Sequence, residues 1–342
     1  MSKTWGFRII ICLVMLLSFA LFTGQARAAD EVKLTFASAL APKSNIELAA
    51  KRYAEIIGKK SDGRIQITHY GAGSLYNHKD MIPALAKNQV NMAVHHVAMV
   101  GRRSAALEFI SSFGAQGAWS SFDHYYRFID QPEVREIAGG EFDKYFNAKL
   151  LGFLAYGAGL VARSDKAVKT VEDYKGFKMR TSGTAQATVY KALGAITVEM
   201  SSKEIYTAIQ RGTIQGCTTG TSRVRRARLY EVAPYITIDP TLPFMSFYLV
   251  INKDVWQKMS AADQKLLTEE ARELEKWTRD YVVKEYQEDL DMIKSKAKIL
   301  YDMPAAEKEK LVAVVRPAMM EFSKKRLGKW YEQLWTLFDK AK

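Results

Sequence analysis

An arginine closes a short alternating run in the stretch YKGFKMRTSGT, residues Tyr174 to Thr184. Phe177 and Met179 alternate as in a half-buried strand, Arg180 ends it, and Thr181-Ser182-Gly183-Thr184 reads as a turn opening a helix. A strand end that feeds a helix N-terminus is where α/β proteins hold ligands, and the helix adds N–H donors and a favourable dipole for an anion. A guanidinium there suits planar, two-point recognition of a carboxylate. A surface arginine beside a turn would give the same local pattern, and composition alone leaves both readings standing.

Other chemistry is thinly represented. His69, His78, His95, His96 and His124 are the five histidines, and none falls in an H-E-x-x-H pattern. No G-x-S-x-G elbow, no G-x-x-x-x-G-K-[ST] loop and no G-x-G-x-x-G occurs. Acids lie mostly on helix faces beside lysines, where solvated pairing accounts for them. Binding therefore fits better than catalysis. A secreted hydrolase or lyase using His96 and a carboxylate is the competing class, and a periplasmic ligand sensor is a third.

The elements that would position Arg180 alternate. Val32-Lys33-Leu34-Thr35-Phe36 alternates as a strand, Ser44 and Asn45 can cap a helix to about Gly58, and Arg64 to Tyr70 alternates again. A helix from about Lys79 to Lys87 precedes a strand from Val90 to Val94. This βαβαβ rhythm predicts a mainly parallel sheet with helices on both faces. In the second half, Leu150 to Tyr156 is strand-like, and Thr170-Val171-Glu172-Asp173 resembles a capping box ahead of the Arg180 strand. Ser201-Ser202-Lys203-Glu204 is a fuller box, opening a helix that ends at Gly212, and Thr213-Ile214-Gln215-Gly216 reads as a short strand and turn. Phe247 to Ile251 suits a buried strand. From Ser260 to about Ala297, Leu267, Ala271, Leu274, Trp277 and Tyr281 recur at helical spacing with few breakers. A helix that long can pack along two domains at once. Pro304 to Lys342 reads as further helices, with Trp330 and Trp335 for packing.

The chain opens with Lys3 and Arg8, an apolar core from Ile9 to Phe22, and Ala26-Arg27-Ala28, the pattern of a secretory signal peptide cut after Ala28. That core is short for a membrane span, and Cys12 lies inside it rather than at the cleavage point. Removing Lys3, Arg8 and Arg27 lowers the net charge from +13 to +10. Only Cys217 then remains, which excludes an intrachain disulfide and a thiolate zinc cluster. The mature length allows a large core and suggests two domains. The charge suits solubility, anionic ligands or an anionic membrane surface alike. No nucleic-acid motif accompanies it, and no nucleic-acid partner is expected.

Several blocks in order carry a family resemblance over nearly the whole mature chain. KLTFASALAPKSN and AAKRYAEIIGKKSDGRIQITHYGAGSL are similar to the opening strand, helix, "GRI-I" strand and "GxL" turn of the solute-binding proteins of tripartite ATP-independent periplasmic (TRAP) transporters, the dicarboxylate-binding DctP-like family. ALAKNQVNMAV corresponds to their "G-x-V/I-D-M" segment, TVEDYKGFKMRTSGT to "DLKGLKIR" and its flank, and EIYTAIQRGTIQGCTTG to "ELY-AL-x-G-V-DG". LYEVAPY and LVINKDVWQKMSAADQKLLTEEA follow in the expected order.

The resemblance implies a two-lobed periplasmic binding protein fold, α/β, each lobe a mainly parallel sheet flanked by helices, with crossing strands and a long helix spanning both. The implied division is 1–28 as signal peptide, 29–157 and 246–285 in lobe I with the long helix, and 158–245 and 286–342 in lobe II. It also implies a periplasmic receptor, not an enzyme, that closes around a small organic carboxylate and delivers it to membrane subunits. No cofactor or metal is expected, and the receptor is expected to act as a single chain.

By the same resemblance Arg180 pairs with the ligand carboxylate. Thr219 sits where relatives place a polar contact, Ser202 where they often line the pocket with an apolar side chain, and Ala39 and Ser44 flank the first strand-to-helix loop. His96 lies just past the third strand, either facing the cleft or hydrogen-bonded to backbone. Trp119 in GAQGAWSSF either packs or stacks on ligand. Cys217 beside the pocket reads as a small packed residue. The stretch TSRVRRARLY, with Arg223, Arg225, Arg226 and Arg228, is either a solvated helix face or a docking point for an acidic loop. Three departures point to a smaller or less charged carboxylate. Leu160 stands where sialic-acid-binding relatives carry a second arginine, with Arg163 out of register. Gln215 replaces the aspartate of "DG", and Gly114-Ala115-Gln116 replaces a "P-F" pair.

Overall fold

The computed structural model describes residues 31–342 apart from 41, 113, 114, 120, 240, 242 and 243. The signal segment, with Lys3, Arg8, Cys12 and the cleavage point, lies outside the described residues, as does Gly114. No helix among the described residues is long and apolar enough to cross a membrane.

Two sheets organise the chain. The first contains β1 (Val32–Ala37), β2 (Ile65–Tyr70), β3 (Met92–His95), β4 (Ala148–Tyr156) and β10 (Met245–Asn252), in the order β2-β1-β3-β10-β4. The second contains β5 (Gly159–Arg163), β6 (Lys178–Thr181), β7 (Ile196–Glu199), β8 (Gly216–Gly220), β9 (Tyr235–Ile238) and β11 (Ile299–Tyr301), in the order β11-β9-β5-β8-β6-β7. Parallel pairs predominate, and each sheet also carries antiparallel ones. β1 runs parallel to β2 and β3, but β10 returns from the second sheet and lies antiparallel between β3 and β4. In the second sheet β5 is antiparallel to both β8 and β9 for the same reason, because it enters from the first.

Local chemistry explains the elements beside the cleft. Ser44 caps the helix Asn45–Lys60, accepting from the N–H of Glu47 at 3.3 Å. Thr170 and Asp173 form a reciprocal capping box at the short helical turn Val171–Tyr174. Gly216 opens β8, where a Cβ would lie 2.1 Å from the Ala162 carbonyl oxygen, so only glycine lets β8 approach β5 this closely. The second box works in part. Glu204 accepts the Ser201 N–H at 2.9 Å, and the helix begins one residue later, at Ile205.

The long helix runs from Ala261 to Lys296, capped by Ser260. Its 36 residues correspond to about 54 Å. The Ser260 end packs on the first sheet: Leu267, Ala271 and Leu274 join that sheet's core, and Ala155 N–H donates to Thr278 Oγ1 at 3.1 Å. Further on, Ile293 joins a core of the second sheet. Glu275 accepts from the N–H of Phe153 at 2.7 Å, in space left by Gly152, where a Cβ would lie 2.8 Å from that carboxylate.

The C-terminal segment differs from the expected assignment of 286–342 to the second lobe. The helix Ala305–Leu327 sends Leu311, Val315 and Met319 into the core around Phe177 and Met179. The last helix, Tyr331–Lys340, instead buries Leu334, Trp335 and Phe338 with Phe109 and Phe128 beside the first sheet. Each such side chain contributes about 1.5–3 kcal/mol on burial, so the tail joins the two halves rather than extending one.

Candidate functional site

Arg180 sits near the C-terminal end of β6, opposite Cys217 of β8 and Val198 of β7, and is 6% exposed. Its Nε donates to the Met200 carbonyl at 2.9 Å and its Nη1 to the Thr218 carbonyl at 3.2 Å. Both acceptors are neutral, and no ion pair to it occurs among the described residues. Burial, with the charge of Arg223 adding to it, lowers the guanidinium to about 10, so it remains a cation at neutral pH. A desolvated cation held only by carbonyls is an incomplete electrostatic arrangement. Arg163 shows the contrast. It is paired with Asp165 at 2.6 and 3.0 Å, donates to the Asp173 carbonyl at 2.8 Å and lies over the Phe177 ring.

Arg223 is the residue that sequence reasoning placed elsewhere. It lies on the helix Thr221–Arg226, directly after β8, and its Nη2 donates to the Ser202 carbonyl at 2.6 Å. Its Nε is buried without a partner. The rest of the basic stretch is neither a solvated face nor an open docking point. Arg226 pairs with Glu285 at 2.6 Å, and Arg225 pairs with Asp289 and reaches Glu285 at 3.4 Å. Glu285 and Asp289 are buried on the long helix, and burial raises Asp289 to about 6 against the pull of Arg225. Only Arg228 projects, 68% exposed, with Glu231 beside it. The alternation of the stretch carried no signal of this division, because its partners lie about sixty positions away.

From the other sheet come two histidines. His96 follows β3 and sets its ring 5.0 Å from Phe247, edge-on, and 5.2 Å from His78. Burial first, then the charges of His78 and Arg180, hold it well below the ordinary histidine range. His78 opens the helix His78–Ala86, capped by Asn77, and its Nδ1 is buried without a partner. Burial, with the charge of Lys203 adding to it, brings it down to about 4. Both imidazoles are thus neutral at physiological pH, each disfavoured as a cation by burial first and then by nearby positive charge.

The remaining predicted positions scatter. Thr219 lies on β8 opposite Leu160, 8% exposed and one residue beyond the carbonyl that holds Arg180. Ser202 offers its carbonyl to Arg223. Ala39 is half-buried in the loop after β1, and Ser44 is engaged as a helix cap. Cys217 is fully buried, and burial pushes its thiol up to about 12. Trp119, of the two readings, packs in the core beside the first sheet. Its Nε1 donates to the Ser112 carbonyl at 3.0 Å, and its ring meets Phe338 at 4.6 Å, Tyr125 at 5.1 Å and Phe128 at 5.2 Å.

One cluster has the composition of a hydrolytic triad. Ser38 Oγ lies 2.7 Å from His69 Nε2 and 2.8 Å from Glu47 Oε2. The order is wrong for nucleophile activation, since the serine stands between the acid and the base. Glu47 also accepts the Leu40 N–H at 2.9 Å, so the cluster fastens the loop after β1. Among the described residues no group of three or more His, Cys, Asp or Glu side chains could hold a metal ion.

Comparison with known proteins identifies the family and the fold. Residues 36–325 match the profile of DctP, the bacterial extracellular solute-binding protein family 7. The chain is 24% identical over 303 residues to the C4-dicarboxylate-binding protein DctB of Bacillus subtilis, covering 86% of this chain and 83% of that one. Among solved structures, the sugar acid binding protein DctPAm of Advenella mimigardefordensis, in complex with galactonate, superposes with a TM-score of 0.82 at 21% identity, covering 92% of this chain and 99% of that one. A TRAP periplasmic solute-binding protein of Shewanella oneidensis with bound succinate gives 0.80 at 21% identity, covering 91% and 99%.

Proposed function

The chain belongs to the bacterial extracellular solute-binding protein family 7, and from that premise we propose that it is the receptor of a TRAP transporter, capturing a small organic carboxylate between two lobes and handing it to membrane subunits. The observation that carries this reading is Arg180, a buried cation whose protein acceptors are backbone carbonyls. A ligand carboxylate supplies the missing charge and accepts two-point hydrogen bonds. Relatives are described as binding C4-dicarboxylates, galactonate and succinate.

Arg223 restores a second cation that Leu160 does not supply, from a different element. Its unspent Nε suits a ligand with a second acceptor, such as a hydroxyl, a keto oxygen or another carboxylate. His96 and His78, held neutral, close the opposite wall and supply ring nitrogens rather than charge. Thr219 adds a hydroxyl on the Arg180 side. Ala39, Ser44 and Ser202 shape the rim through backbone.

The lobes divide at the crossings after Tyr156 and Ile238, with the last helix belonging to the first. The protein is exported, cut after Ala28 and active as a single chain without catalysis. Native mass spectrometry of the purified protein tests the core of this reading. A co-purified carboxylic acid, lost in Arg180→Ala, supports it. An intact site that retains the acid in that variant overturns it.

A further inference from the structure

Asp239 lies in the segment that leaves β9 and crosses to the first sheet, and it is 1% exposed. No cation pairs with it among the described residues. Neutral donors fill its oxygens instead. Oδ2 accepts from the Tyr190 hydroxyl and from Thr218 Oγ1 at 3.1 Å. Oδ1 accepts from the Thr241 N–H at 2.9 Å and its hydroxyl at 2.7 Å. Thr241 in turn accepts from Gln116 Nε2 at 3.0 Å, and its carbonyl accepts from the N–H of Gly117 at 2.9 Å. Asp239, Thr218, Thr241 and Gln116 are all buried. A carboxylate this deep is tolerated only where its lone pairs are filled, so its donors are fixed in place by it.

Thr218 is the residue shared with the ligand site. Its hydroxyl serves Asp239, and its carbonyl receives Arg180 Nη1 at 3.2 Å. Tyr190, the other donor to Oδ2, stands on the helix Thr184–Ala192 that follows the Arg180 strand. One carboxylate thus grips both elements flanking Arg180 from within the crossing segment, and the same segment is fastened to Gln116 and Gly117 beside the first sheet.

We propose that Asp239 is a positioning residue for Arg180: through Thr218 it fixes the carbonyl that aims the guanidinium, and it ties that aim to the crossing between the lobes. This rests on the reading of Arg180 as the carboxylate contact. Because both oxygens of Asp239 are taken by protein donors, its effect is to hold Arg180 ready before the ligand arrives, which lowers the ordering cost of capture.

The test uses the uniformly ¹⁵N-labelled mature protein and the side-chain Nε–H resonance of Arg180, identified by its loss in Arg180→Lys. Thr218→Val keeps the volume and the backbone carbonyl but removes the hydroxyl that Asp239 holds. Asp239→Asn removes the charge. Both are expected to shift the unliganded Arg180 resonance and speed its solvent exchange about tenfold, the scale of one neutral hydrogen bond. Thr237→Val is the control. It deletes a buried hydroxyl bonded to the Val168 carbonyl at 2.8 Å on the same sheet, away from Arg180, and is expected to leave the resonance in place. An unchanged resonance in both Thr218→Val and Asp239→Asn, or an equal change in Thr237→Val, overturns the proposal. A wild-type resonance unmoved by succinate, galactonate and pyroglutamate counts against Arg180 as a carboxylate contact, whereas the unliganded comparison decides the role of Asp239 by itself.

Discussion

Arg180, at the end of β6, and His96, just past β3, belong to different sheets, yet the charge of the arginine adds to burial and to the charge of His78 in holding the histidine well below its ordinary range. Arg180 stays a cation at neutral pH, while His96 stays uncharged.

Replacing Arg180 should separate binding from folding. Arg180→Ala removes charge-assisted hydrogen bonds worth about 1.5–3 kcal/mol each, so affinity for the co-purified carboxylate should fall by roughly two to four orders of magnitude if two are lost together. Arg180→Lys should recover only part, because an ammonium lacks the planar fork. Thermal melts of the ligand-free proteins should show no large loss, since the wild-type cation is buried without an acid. Calorimetry beside those melts decides; wild-type affinity in folded Arg180→Ala would remove the residue on which the functional reading rests.

Arg223→Met should weaken binding less, by about 10- to 100-fold, the range for one charge-assisted hydrogen bond. The loss should be larger for a dicarboxylate than for a monocarboxylate of similar size. Equal losses for succinate and butyrate would assign Arg223 to holding the Ser202 carbonyl alone.

Trp119→Phe should act on stability only. The substitution strands the Ser112 carbonyl and leaves space beside Phe338, a combined cost of about 1–3 kcal/mol. Urea denaturation should register it, while calorimetry finds the carboxylate affinity unchanged. A tenfold affinity loss in the folded variant would place the indole at the ligand.

His95 gives a pH dependence with a definite sign. It is buried beside Phe142 and Phe146 with both ring nitrogens unpartnered, and burial, with the His78 charge adding, brings it down to about 3. The unfolded chain takes up the proton near pH 6.5 and the folded chain does not, so stability falls as pH drops below that value and levels only near the folded pKa. At pH 5 the loss from this one group is about 2 kcal/mol. His95→Leu should therefore gain on the wild type as pH falls from 7.5 to 5. A difference between the two proteins that stays flat across that window would mean His95 is protonated in the folded state.

How far the sequence could be read depends on the range of the interaction concerned. Ser44, Thr170 and Ser260 cap elements three residues away, and each was readable from spacing. The alternation at Phe177 and Met179 placed the Arg180 strand, and helical spacing marked the long helix. What stayed hidden is contact between distant segments. Nothing near Arg225 and Arg226 announces Glu285 and Asp289, so four arginines looked like one solvated or docking face. Arg223 differs from its neighbours only through the fold, which turns it to the Ser202 carbonyl. The antiparallel course of β10 likewise follows from the return between lobes, which strand alternation does not encode.

The long helix is tied to the elements of both sheets. Thr278 is bound to β4 through the Ala155 N–H, and Glu285 is bound to Arg226 of the helix that carries Arg223. Between those two ties lie about 10 Å of backbone, and Arg279 inside that span is itself bound to Asp130 at 2.7 Å. A relative shift of the two sheets would load the helix within residues 280–284, beyond the Arg279 tie, so its stiffness there bears on how far they can part.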